Sequence, residues 1–183
     1  MKRLQLWVYL VSLIVSIHLS ACSDRAISSN SSTQPQQTPL PRVNLDPDNV
    51  VIGQTVYVPI YSHIYHFNSQ GHRMNLSATL SIRNTDFKHS LILTSVRYYG
   101  TEGQLLRQDV QRPVVLKPMA STSFFVAADD TSGGAGANFI VEWAAETPIS
   151  TPVIEAVMIN SSAGQGVSFL SPGRVIKQYS KNN

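Results

Sequence analysis

The chain contains one cysteine, Cys22, among 183 residues. A single thiol excludes an intramolecular disulfide and any cysteine-based metal cluster. No apolar run reaches the roughly 20 residues that a membrane-spanning helix needs, since the longest, Leu4 to Ile17, stops short. No Gly-x-Ser-x-Gly stretch marks a hydrolase elbow, and no Gly-Lys-Ser/Thr stretch marks a phosphate loop. Internal repeats are absent as well. Prolines 59, 113, 118, 148, 152 and 172 leave no window for a long helix.

What is present begins with a basic start, Lys2-Arg3, a short apolar core and then Leu19-Ser20-Ala21-Cys22. This is the order of a secretory signal. Its end resembles the lipobox of bacterial lipoproteins, in which the cysteine is acylated and becomes the new N-terminus. The expected organisation is a signal peptide over 1–21, lipidated Cys22 with a flexible linker over 22–47, one domain over 48–178 and a tail over 179–183. The linker is rich in Ser, Gln, Thr and Pro, too polar to offset its ordering entropy. Its flexible-chain reach is roughly 25–30 Å. The expected location is the bacterial cell envelope, with the domain facing periplasm or exterior and held to the membrane by lipid. Cleavage would remove two basic residues and no acidic one, leaving 12 Lys+Arg against 11 Asp+Glu. A nearly neutral mature chain gives no support for a nucleic-acid partner.

The domain repeats with a period of two. In "LSATLSIRNTD", Leu76, Ala78, Leu80 and Ile82 alternate with polar residues, and Asn84-Thr85-Asp86 supplies turn chemistry. "LILTSVRYYG" places Ile92, Val96 and Tyr98 on one face and Leu91 and Leu93 on the other, before a turn at Thr101–Gly103. Further strands are expected at 114–116, 122–127, 139–143, 154–159 and 167–170, with Phe139 and Trp143 in the core. Seven to nine short strands predict an all-β fold, a single immunoglobulin-like β-sandwich.

Three constellations are candidate sites. In "DDTSGGAGANFIVEW", Gly133, Gly134 and Gly136 precede an alternating strand rather than a helix, and Phe139 stands where a dinucleotide fingerprint has its third glycine. A turn with positive-φ glycines is the favoured reading, and a calcium-type oxygen cluster at Asp129 and Asp130 is the other. "HIYHFNSQGH" brings His63, His66 and His72 together, yet His63 and His66 are three apart and point to opposite faces of a regular strand. No metal or other cofactor is expected. In "VYVPIYSHIYHF" the outward row is Tyr57, Pro59, Tyr61, His63 and Tyr65, rings with polar tips that suit either a binding face or packing beneath a loop.

Taken together, "VYVPIYSHIYH", "TLSIRNTD", "SVRYYGTEGQLL", "DTSGGAGANFIVEW" and "GQGVSFLSPGRVI" closely resemble the bacterial family catalogued as domain of unknown function 3124. Its members are predicted secreted lipoproteins, and the resemblance runs from about Gly53 to Ile176. It implies no activity, cofactor or site. The strand ending "RNTD" and the proline-led strand after a "Y-x-x-x-G" turn also look like the immunoglobulin-like domains of water-stress and late-embryogenesis proteins. The leading expectation is a binding or scaffolding module with an envelope protein or glycan as partner. The alternative is an envelope enzyme or metal-dependent protein using His63, His66, Asp129 and Asp130.

Overall fold

The structure, a computed structural model, describes residues 39–161 and 166–181. Cys22, the signal and most of the linker lie outside the described residues. Among the described residues twelve strands follow one another: β1 (Ile52–Pro59), β2 (His63–Tyr65), β3 (Arg73–Asn75), β4 (Ser77–Arg83), β5 (Leu91–Tyr99), β6 (Leu105–Val110), β7 (Val114–Leu116), β8 (Ser121–Val126), β9 (Asn138–Ala145), β10 (Val153–Asn160), β11 (Val167–Pro172) and β12 (Arg174–Ser180). A single 3-10 turn, Pro47–Asn49, is capped by the Asp46 carboxylate, and no α-helix occurs among the described residues.

The fold is the all-β sandwich that the period-two pattern predicts. One sheet runs β12-β1-β9-β5-β6, with β7 also on β5, and the second runs β11-β10-β4-β8. A small β2–β3 hairpin completes the set, and every pairing is antiparallel. The count exceeds seven to nine because β2, β3, β6 and β12 bury too little to alternate. Strand β12 is exposed along its whole length.

Between the sheets the inward residues of β4 meet those of β1, β5 and β9. Leu80, Ile82, Val58, Leu93, Val96, Phe139 and Val141 are completely buried in one cluster. Trp143 joins them, as expected. Within the second sheet, Ala156 lies opposite Leu80 and Ala78 opposite Met158, so large and small side chains alternate across the pair. Each fully buried aliphatic or aromatic side chain contributes about 1.5–3 kcal/mol.

Strand β5 departs from the sequence pattern. Its register against β9 shifts between Leu93 and Ser95. Thr94 is the extra residue of a bulge, so the inward parity changes there. Leu91 and Leu93 before the bulge and Val96 and Tyr98 after it all join the central core cluster, whereas Ile92, though buried, does not. The split into opposite faces expected from simple alternation is therefore corrected.

Two connections position the functional surface. Asn84, only 2% exposed, ends β4; its side-chain amide donates to His89 O, Leu116 O and Lys117 O. Gly173 carries the chain from β11 in one sheet to β12 in the other, and its N–H donates to Ile154 O at 2.8 Å. Residues 39–43, read from composition as tether, lie beside β7: Leu40 packs on the core and the Val43 N–H donates to Pro113 O.

Candidate binding cleft

The outward row of β1 does not stay in one surface. Tyr57 and Pro59 occupy the outer face of the first sheet, beside Ile140 and Asn138 of β9. The chain then leaves the strand. The Ile60 N–H donates to Ala137 O, and both the Ser62 N–H and its hydroxyl donate to Gly134 O (3.1 and 2.9 Å). These bonds turn the backbone so that Ile60 and Ser62 stay buried while Tyr61 emerges at the seam between the sheets. Tyr57 and Tyr61 consequently face different surroundings, while His63 and Tyr65 pack edge-on against each other with ring centroids 5.3 Å apart.

Tyr61 is 38% exposed and meets Phe169 of β11 edge-on, with ring centroids 5.8 Å apart. Around this pair lies an open cleft of about 400 Å³. Pro59 and Ile64 line it from the first segment, Leu170 and Pro172 from the β11 side, and Arg174 contributes a cation. Arg174 makes no ion pair among the described residues. Apolar rings and prolines beside one unpaired guanidinium can stack on a flat or apolar ligand and fix an acidic or polar group at its end. Phe169, Leu170, Pro172 and Arg174 escape sequence reasoning, because only the β11–β12 crossover brings them to Tyr61.

His63 is 5% exposed rather than outward. Ser62 Oγ gives its proton to Gly134 O, so at the 3.3 Å contact His63 Nδ1 is the donor. Nε2 then faces the Tyr65 hydroxyl at 3.5 Å. Burial, reinforced by the Arg73 guanidinium, holds the imidazole pKa below its ordinary value and keeps it neutral. Arg73 in turn lies 6.0 Å from the centre of the Tyr65 ring.

The glycine-rich loop is fastened inward. The Thr101 N–H and hydroxyl both donate to Gly133 O (2.9 Å each), and the Gly136 N–H donates to Thr101 Oγ1. Gly134 has φ +72°, and a Cβ on Gly133 would overlap the Tyr98 hydroxyl. Asp130 accepts from the Ser132 N–H and hydroxyl, while Asp129 is exposed. The Tyr98 hydroxyl, buried under this loop, lies near Ser132 and Gly133 without reaching hydrogen-bond geometry; burial and then the Asp130 charge raise its pKa.

His66 and His72 sit with rings 6.0 Å apart on the β2–β3 hairpin. No group of three or more His, Cys, Asp or Glu able to hold a metal ion occurs among the described residues. No described helix is long and apolar enough to cross a membrane.

Fold and cleft define a class: a two-sheet β module with an aromatic seam. Residues 53–176 match the family described as "Protein of unknown function (DUF3124)", and the chain belongs to that family. No curated protein matches the chain. Among solved structures, the crystal structure of Thermotoga maritima 1070 is similar at 13% identity, covering 66% of this chain and 92% of that one, with a TM-score of 0.38. That likeness carries no argument about function.

Proposed function

We propose that the protein is a lipid-anchored binding module of the bacterial envelope, tethered through Cys22 and engaging a protein or glycan partner through the Tyr61–Phe169 cleft. The observation that carries this reading is the cleft itself: two aromatic rings and two prolines left open at a seam, with an unpaired Arg174 beside them. A core-filling tyrosine would be covered, and Tyr61 is not. The lipobox-like Leu19-Ser20-Ala21-Cys22 supports the anchor, and the polar stretch after it supports a tether.

The test combines two variants with partner capture. Tyr61→Ser and Phe169→Ser are expected to melt within a few degrees of the parent chain, because both rings are partly exposed, and to lose crosslinked partners recovered from envelopes. A stable variant that keeps every partner contradicts the reading. Mass spectrometry of the mature N-terminus checks the anchor: Cys22 carrying acyl chains supports it, and a free thiol with the signal still attached removes it.

A further inference from the structure

The last strand carries a second surface, which shares Arg174 with the cleft but otherwise lies along the sheet edge and does not involve the lipid anchor. β12 closes the first sheet and, among the described residues, pairs only with β1. All seven of its residues are exposed, so its far side is an open row of backbone donors and acceptors. The Lys181 N–H donates to Val51 O at 2.8 Å. Because hydrogen bonding alternates along an antiparallel strand, Tyr179 also turns its backbone toward β1, while Gln178 and Ser180 turn theirs outward. An edge of this kind is a template for another extended chain.

Charge selects the occupant. Arg174, Lys177 and Lys181 are the only charged residues after Glu155, and no acidic residue follows it. Arg174 and Lys177 form no ion pair among the described residues. By register with Tyr57 and Thr55, both project from the outer face of the sheet. β12 carries bases and no acid, so pairing it with a second copy of itself gathers like charge at one edge with no opposite charge to offset it, which disfavours an edge-to-edge dimer. The bulge in the β1–β12 register between Thr55 and Val56, together with Lys177, blunts indiscriminate pairing in the way natural edges are blunted.

We propose that β12 is a docking strand for an extended acidic segment of a partner protein, which adds to the sheet edge by backbone hydrogen bonds and places carboxylates opposite Arg174 and Lys177. The pairing supplies affinity without sequence demands, and the basic side chains supply the sign of the partner.

The experiment uses the full mature chain in detergent micelles and fluorescence anisotropy with a labelled ten-residue peptide alternating glutamate and valine. A lysine–valine peptide of equal length and a thymidine oligonucleotide serve as controls. The acidic peptide is expected to bind, more weakly at high salt, and the lysine peptide not to bind. Gln178→Pro removes an edge N–H without touching a backbone bond to β1 and is expected to weaken binding by at least about tenfold, whereas Gln178→Ala, which loses the same side-chain bond from Gln54 Nε2 but keeps the N–H, stays within about twofold. Lys177→Glu is expected to weaken it by about tenfold as well, which covers the case of a poorly folded proline variant. Tyr61→Ser leaves this binding intact, so failure of the cleft and failure of the edge are distinguishable. Absence of acidic-peptide binding, equal binding of the oligonucleotide with no effect of Gln178→Pro, or a dimer in sedimentation that Gln178→Pro dissolves would each overturn the proposal.

Discussion

Substituting alanine at Gly173 tests the crossover on which both the cleft and the edge strand depend. A Cβ there would lie 2.6 Å from Ile154 O, 2.6 Å from Val56 Cγ1 and 3.3 Å from Val58 Cγ2. None of these can swing away: one is backbone in β10, and the others are buried β-branched side chains of β1. Relieving such overlap by moving packed groups costs about 1–3 kcal/mol. The Gly173 N–H bond to Ile154 O lengthens as the strands separate, a loss of about 0.5–1.5 kcal/mol. Stiffening of the unfolded chain returns about 0.4–1 kcal/mol. The net is a destabilisation of about 2–3 kcal/mol, or a melting temperature lower by roughly 8–12 °C for a domain of this size. Circular dichroism melts with parallel urea titrations read it directly. Gly166→Ala is the control, because nothing lies within 4 Å of a Cβ at that position, and it should change stability by less than about 0.5 kcal/mol. If Gly173→Ala melts with the parent chain, the close approach at the crossover is wrong, and with it the placement of Arg174.

Other consequences are quicker to state. Asn84→Ala strips the donors from three backbone carbonyls and is expected to lower stability by about 2–3 kcal/mol in urea unfolding, with loop 84–89 the first to gain hydrogen exchange. Tyr98→Phe deletes a buried hydroxyl that has no partner and should be neutral or stabilising by up to about 1 kcal/mol in the same assay. His63 has a folded pKa below the ordinary 6.5, so the unfolded chain takes up the proton first as pH falls. Its contribution is complete above about 6.5 and declines as pH drops through that value; His63→Asn should flatten this part of the stability-versus-pH curve. Asp86 is held far below the ordinary carboxylate range, first by the Lys88 N–H and then by those of Ser150 and His89. Its contribution is present above about 3.8 and is lost on further acidification, so Asp86→Ala should reduce the acid sensitivity of the melt.

Much of the sheet architecture was legible because burial imposes a period of two wherever one face meets the core. β4 shows this without interruption, and its Asn84-Thr85-Asp86 ending does the capping that those side chains suggest. The pattern fails for identifiable reasons. A single extra residue at Thr94 inverts the parity of β5. β12 has no buried face and therefore no alternation to read. At the candidate site, Tyr61 could be picked out as an unusual aromatic. Its partner Phe169 lies more than a hundred residues away and is brought alongside by strand order, which local pattern does not encode. Extrapolating β1 beyond Pro59 points His63 outward, but the bonds from Ile60 and Ser62 to the glycine-rich loop redirect the chain there.

Site-specific photo-crosslinking of the full chain in its native envelope tests the central claim most directly. A benzophenone side chain at position 61 is compared with one at position 87, where Phe87 is exposed outside the cleft. A discrete adduct from position 61 alone, abolished by Phe169→Ser, is the predicted result; identical adduct patterns from both positions, or none from position 61, would contradict the account.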